Sequence, residues 1–286
     1  MKYTFPDCLC GGNCYSRVFL YESPPKDETR FKFASSEYKR EVKCCKICGH
    51  YVSVHDMDTG QIYKGEYVDA TYANEEGMLH AFKRIVALPL EKSDNSGRVA
   101  RVVSFADVHF PPEKRKTKLS ILDVGSGLCV FLYRMKEHCF SCMALDPDER
   151  AIRHAKEKIG IKTVCADFMK TEDLGQFDVI TFNKVLEHFK DPISVLAKSK
   201  DFLRLGGFVY IELPDGEAAE AEGPQREEFF IEHHHIFSGA STAILSQRAG
   251  FMVKEIERLK EPSTKFTLRA FLVLPDQVLL GKQQRH

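Results

Sequence analysis

Through the second half of the chain, short apolar runs alternate with longer stretches whose apolar positions recur at helical spacing. From Leu119 onward, Ser120 to Val124, Cys142 to Leu145, Lys162 to Cys165, Asp178 to Phe182, Phe208 to Leu213, Phe251 to Glu257 and Thr267 to Leu274 read as strands. Helical patterns at Leu128 to Glu137, Asp148 to Lys158, Pro192 to Leu203 and Gly239 to Ala249 lie between them. Strands separated by helices imply right-handed βαβ crossovers and a parallel sheet. The last two runs have no helix between them, which predicts a hairpin at one edge.

Upstream the pattern differs. Met78, Leu79, Phe82, Ile85 and Val86 repeat at helical spacing, Asn74 is placed to cap and Pro89 to stop, so a helix is expected over about residues 75 to 88. Asp94-Asn95-Ser96-Gly97 reads as a turn, and Pro111-Pro112 with the basic run Lys114 to Lys118 reads as a solvated linker. Residues 1–68 lack a helical period and read as a small loop-and-strand module. The expected division is therefore a module over 1–68, a connecting helix and linker over 69–118, and an α/β domain over 119–286.

Composition narrows the class. The chain has 286 residues, 43% hydrophobic and 11% aromatic, enough apolar surface for a core and unlike a disordered chain. Lys+Arg and Asp+Glu are both 41, so no global field favours a polyanion, and no nucleic-acid partner is expected. Neither a signal peptide nor a run long enough to span a bilayer is visible, so a cytoplasmic location without membrane contact is expected. Oligomeric state cannot be read from the chain. Ten cysteines stand out, because disulfides are rare in that compartment, and six fall within the first 48 residues.

The first α/β strand ends in Ile121-Leu-Asp-Val-Gly-Ser-Gly-Leu128 and runs into a helix, placing Gly125 and Gly127 at the sheet edge where ligands bind. Asp146 ends the next strand 23 residues after Asp123, a spacing suited to accepting hydrogen bonds from ribose hydroxyls. Asp167 ends the third strand, where a carboxylate could accept from an adenine amine while Phe168 covers the ring. Capping or solvation is the plain alternative for each acid. NAD(P) and S-adenosylmethionine both suit such an edge, but a dinucleotide loop needs a small residue where Val130 stands.

LDVGSGLCVFLYRM, ALDPD, CADF, FDVITFNKVLEHFKDP and LRLGGFVYIELPDG together resemble the successive motifs of class I S-adenosylmethionine-dependent methyltransferases, covering about residues 119 to 274. The resemblance implies a Rossmann-like seven-stranded fold. It places Asp123, Gly125 and Gly127 around the amino-acid part of the cofactor, Asp146 at the ribose, Asp167 and Phe168 at the adenine, and Asn183 facing the cofactor. Cys129 stands where many members carry a third glycine.

Cys45-Lys-Ile-Cys48-Gly49 is a C-x-x-C-G knuckle and Cys8-Leu-Cys10 a shorter pair; four thiolates close a tetrahedral structural site. The expected Zn²⁺ ligands are Cys8, Cys10, Cys45 and Cys48, with Cys14, Cys44 and His50 as possible substitutes. A module of this size needs such a staple. Cys129, Cys139, Cys142 and Cys165 read as ordinary core cysteines.

A four-cysteine module, a segment with Tyr67 and Tyr72, and a methyltransferase domain together resemble the methyltransferases of nucleotide-linked sugars. C-methylating members carry a His-Glu-His run before Phe-Ser; here the stretch is Phe230-Ile-Glu-His-His-His-Ile-Phe-Ser238. Glu232, His233 and His188 match, while Phe230 stands in place of a Tyr and Ile231 in place of a His. The resemblance makes His233, Glu232 and His188 the candidate catalytic residues, for a base or for substrate contact. The run His233-His234-His235 lacks the i, i+4 spacing of a helical metal pair, and adjacent residues of an extended segment face opposite ways. The expected function is methyl transfer to a small molecule, a nucleotide-linked sugar or related metabolite. The alternatives are an O-methyltransferase of a phenolic or quinone-type metabolite and a cofactor-binding protein without catalysis.

Overall fold

The computed structural model describes residues 8–29, 38–57 and 74–275. Tyr67 and Tyr72 lie outside the described residues. In the α/β part, strands β4 (Ser120–Val124), β5 (Ser141–Asp146), β6 (Lys162–Cys165), β7 (Phe177–Asn183), β8 (Leu203–Pro214), β10 (Met252–Lys260) and β11 (Phe266–Val273) form one sheet in the order β10-β11-β8-β7-β4-β5-β6. Pairing is parallel from β8 to β6, while β10 and β11 form the expected antiparallel edge hairpin. This is the Rossmann-like methyltransferase arrangement.

Successive residues of each strand face opposite sides, so two cores form. Leu122, Val124, Ile180, Phe182, Val209 and Ile211 pack on one side. Ile121, Val179, Phe208, Tyr210 and Phe271 pack on the other. Flanking helices are α1 (Glu75–Val86), α2 (Asp94–His109), α3 (Val130–Glu137), α4 (Glu149–His154), α5 (Pro192–Lys198) and α6 (Gly239–Arg248). Asn74 caps α1 as expected, its side chain accepting from the Gly77 amide at 2.9 Å.

The turn expected at Asp94 to Gly97 is instead the first turn of α2, whose Ser93 cap accepts from the Ser96 amide at 3.1 Å. Asp, Asn, Ser and Gly are weak helix formers, and Gly97 costs about 1 kcal/mol relative to alanine. Val99, Val102 and Phe105 outweigh that cost, since burying each is worth about 1.5–3 kcal/mol. Phe105 stacks on Phe271 with ring centroids 4.0 Å apart. The basic run is also not a free linker: Pro112–Arg115 forms a helical turn, and Lys114 pairs with buried Asp178 at 2.8 Å. No helix among the described residues is long and apolar enough to cross a membrane.

A second sheet, in the order β1-β2-β3-β9, joins the N-terminal strands β1 (Tyr15–Tyr21), β2 (Arg40–Cys45) and β3 (Tyr51–Val54) to β9 (His235–Ile236). The histidine run thus enters the N-terminal sheet. A two-residue strand has no period that a sequence pattern could reveal.

Candidate functional site

The loop from β4 to α3 turns sharply. Gly125 has φ of 70°, and a Cβ there would lie 2.8 Å from a Val185 methyl; Gly127 has φ of 48° and meets nothing within 4 Å. Cys129 adopts φ of 60° before α3, the left-handed conformation in which a glycine is at ease. A cavity of about 710 Å³ opens here, and Asp123, Gly125, Gly127, Asp146, Asp167, Phe168 and Asn183 all line it.

The three acids are held differently. Asp123 is buried on β4 and accepts from Thr181 Oγ1 at 2.6 Å and Asn183 Nδ2 at 2.7 Å. Burial pushes its carboxyl up to about 7 against those two donors. Asp146 accepts from the Gly127 amide at 2.9 Å and the Asp148 amide at 2.9 Å, which fixes its carboxylate at the rim. Asp167 caps a helical turn through the Met169 amide at 3.0 Å, so capping and cavity lining coincide in one residue. Phe168 packs edge-to-face with Phe182 and at a tilt against Phe202, each with centroids 5.7 Å away. Asn183 Oδ1 and Ser126 Oγ, both at the cavity, are buried without a hydrogen-bond partner among the described residues.

The cavity is also lined by residues that pattern reading missed: Arg98 of α2, Lys184, Phe189, Lys190 and His234, together with the expected His188. Arg98 lies on the helix read as a turn; the spacing of Val99, Val102, Phe105 and Ala106 was the signal that could have placed it. Its guanidinium grips buried Glu212 at 2.8 and 2.5 Å, and Arg269 Nε donates to the same carboxylate at 2.9 Å. Burial would push the Glu212 carboxyl up, but the two guanidinium groups hold it down to about 2. Lys184, in a left-handed turn after β7, donates to Thr267 Oγ1 at 2.8 Å, and burial lowers its proton affinity.

The three consecutive histidines diverge. His233 turns toward His188, with ring centroids 5.1 Å apart. His234 lines the cavity. His235 meets His50, with Nδ1 2.9 Å from His50 Nε2. Glu232 and His233 are brought next to His188 but do not line the cavity. His188 Nδ1 donates to the Glu232 carbonyl at 2.9 Å and His233 Nδ1 to the Glu228 carbonyl at 2.8 Å. Burial lowers the proton affinity of His233 well below that of a free imidazole.

In the N-terminal module the sulfurs of Cys8, Cys10, Cys45 and Cys48 all lie within 4.8 Å of one another. Cys8 and Cys48 are 3.4 Å apart and Cys10 and Cys45 3.7 Å, close to the ~3.8 Å that a tetrahedron of ~2.3 Å zinc–sulfur bonds requires. Burial works against ionisation of Cys45, but the Cys48 and Ile47 amides prevail and lower its thiol to about 7. The possible substitutes are engaged elsewhere or turned away: His50 lies between Ser241 and His235, Cys44 faces the Cys45 carbonyl, and Cys14 is exposed. The cluster is clasped to α6, because Ser238 Oγ donates to the Cys48 carbonyl at 2.5 Å and Arg248 to the Leu9 carbonyl at 2.9 Å.

A family model described as a methyltransferase domain matches residues 94–256. Ubiquinone biosynthesis O-methyltransferase of Caulobacter vibrioides is 31% identical over 100 residues, which cover 32% of this chain and 40% of that protein. The same-named protein of Thiobacillus denitrificans is 31% identical over 97 residues, 32% of this chain and 42% of its own. The chain thus spans about two fifths of the length of these curated relatives. Among solved structures, magnesium protoporphyrin IX methyltransferase from Synechocystis superposes with a TM-score of 0.55 at 11% identity, over 76% of this chain and 100% of that one. The 1,6-didemethyltoxoflavin-N1-methyltransferase of Burkholderia thailandensis gives 0.53 at 13% identity, over 85% and 98%. Both are similar in fold.

Proposed function

The chain belongs to the methyltransferase-domain family, and on that premise we propose that it transfers a methyl group from S-adenosylmethionine to a small polar acceptor, a nucleotide-linked sugar or a close relative. The observation that carries this reading is a single cavity lined both by three strand-end acids and by His188, His234, Lys184 and Lys190. S-adenosylmethionine, when bound, supplies an electrophilic methyl group on a sulfonium.

The residues present fit that cofactor. Asp146, whose two oxygens are each held by a backbone amide, would accept from the ribose hydroxyls, and Asp167 with Phe168 would suit an adenine amine and ring face. Asn183 Oδ1 and Ser126 Oγ are buried polar atoms that a ligand would satisfy, since leaving them bare is costly. Asp123, whose carboxyl burial pushes up to about 7, would be drawn into its charged form by an ammonium beside it. A side chain at Gly127 would project into open space on this edge.

Among the lining residues, His188 is the group we assign to receive an acceptor proton, because it lines the cavity and its Nδ1 hydrogen is committed to a carbonyl. Its Nε2 therefore carries the lone pair when the ring is neutral. Glu232 and His233 support it from behind. Lysines and imidazoles suit hydroxyls and phosphate oxygens better than an apolar ring, which favours a sugar nucleotide. A phenolic or quinone-type acceptor is the second reading, favoured by the ubiquinone O-methyltransferases that match a third of the chain. The division of labour we propose follows the chain: a module within 1–68 stapled by Zn²⁺ on Cys8, Cys10, Cys45 and Cys48, a connecting segment within 69–118, and the catalytic domain beyond it.

The cofactor assignment is tested by calorimetry. Hydrogen bonds to a charged group are worth about 1.5–3 kcal/mol each, so losing two in Asp146→Ala should weaken S-adenosylmethionine binding by about 10²- to 10⁴-fold. Unchanged affinity in that variant would remove the ribose assignment.

A further inference from the structure

Glu187 forms one helical turn with Leu186 and His188, immediately behind the acceptor end of the cavity. It is 0% exposed, and neither carboxylate oxygen has a hydrogen-bond partner in another of the described residues. A bare buried carboxylate is costly, so a proton or a cation must meet it. Its own backbone amide and the Lys184 ammonium act on it, and two imidazoles are at hand: one Glu187 oxygen and one ring nitrogen each of His188 and His233 lie within 4.8 Å of one another.

Hydrogen bonds to the backbone fix both tautomers. A carbonyl oxygen only accepts, so Nδ1 of His188 and Nδ1 of His233 carry the hydrogens that point at the Glu232 and Glu228 carbonyls. In the neutral rings each Nε2 is then an acceptor. A carboxylate beside two such rings has no hydrogen to accept from them. A protonated carboxyl, by contrast, has one to donate.

We propose that Glu187 retains a proton at neutral pH and is a positioning residue that acts through His188, with His233 the neighbouring ring that can take that proton up. The inference rests on reading His188 as the group facing the acceptor. In the proton step, the acceptor's X–H bond breaks, its electron pair stays on X, and an N–H bond forms at Nε2 of His188. The proton held by Glu187 then passes to Nε2 of His233, leaving a carboxylate opposite the new imidazolium. His233, which does not line the cavity, thereby gains a role.

The charged surroundings agree. Burial raises the proton affinity of Glu187, opposed by Lys184 and His188 and reinforced by Glu212. Burial lowers that of His233, helped by His188, Lys184 and Lys265. Glu232, which faces His188, is likewise pushed up by burial. The proton therefore rests on a carboxyl and not on a ring.

The test is a carbon-13 carboxyl titration of the full chain labelled at glutamate, with the Glu187 signal identified by its loss in Glu187→Gln. The signal should titrate above neutral pH, well above the ordinary glutamate value of about 4.3, and shift in His233→Gln. A signal titrating below neutral pH overturns the proposal. So does a stoichiometric response of that signal to Mg²⁺ or Zn²⁺, which would make the cluster a cation site. If Glu187→Gln does not fold, Glu187→Asp identifies the same signal and the wild-type titration decides. Calorimetry with S-adenosylmethionine on the wild-type chain is independent: failure there removes the proposed function and leaves the proton assignment standing.

Discussion

Serine in place of Cys48 is expected to abolish zinc binding and to loosen the histidine run some 190 residues away in sequence from the change. A hydroxyl is not ionised at neutral pH and cannot replace a thiolate, so the remaining three sulfurs no longer close the tetrahedron. Structural zinc contributes an apparent ~10–16 kcal/mol in small zinc modules, the largest single contribution proposed for this chain. The consequence extends beyond the module because Cys48 carries the carbonyl that Ser238 Oγ grips, and Ser238 caps α6. His50, two residues on, bonds His235, whose Nε2 donates to the Lys190 carbonyl at 3.2 Å beside the cavity. Strand β3 pairs with β9, and the Ser53 amide donates to the His234 carbonyl at 3.1 Å. Elemental analysis should return one zinc per wild-type chain and none in Cys48→Ser. Amide hydrogen exchange at Val52, Ser53, His235 and Ile236 should rise in the variant. A variant that exchanges like the wild type would show that the cluster holds nothing together.

Glutamine in place of His188 should slow methyl transfer by about 10²- to 10⁴-fold while S-adenosylmethionine binds as before. The loss is expected to be confined to proton handling because the acids proposed to hold the cofactor lie on other segments, β4, β5 and the turn after β6. Glutamine keeps a donor for the Glu232 carbonyl, so the loop from Phe230 onward retains its anchor, yet the amide cannot take a proton. The prediction is checked by single-turnover kinetics alongside calorimetry. Equal slowing from weakened cofactor binding would make the histidine a structural support only.

The architecture was legible where periodicity is strong. All seven strands of the large sheet and its edge hairpin follow from apolar runs, and the central strands β4, β7 and β8 are buried on both faces. The motif resemblance and the family match agree on a methyltransferase domain. Helix α2 was not legible, since its first turn is written in turn-forming residues and only tertiary burial of Val99, Val102 and Phe105 makes it a helix. Without α2 there was no reason to place Arg98 at the cavity. The strand-end acids could be found because parallel strands finish on one edge, whereas the meeting of Glu187 and His188 with His233 depends on a chain reversal that no local pattern encodes. The C-x-C and C-x-x-C pairs were visible as pairs, but their convergence across 34 intervening residues is a fact of the fold.

The central claim is that the polar end of the cavity receives a sugar nucleotide. The direct measurement is mass spectrometry of the wild-type chain incubated with S-adenosylmethionine and a panel holding nucleotide-linked sugars, phenols and quinols. The account predicts S-adenosylhomocysteine together with a singly methylated nucleotide sugar. Methylation of phenols or quinols alone, with the sugar nucleotides untouched, would contradict it.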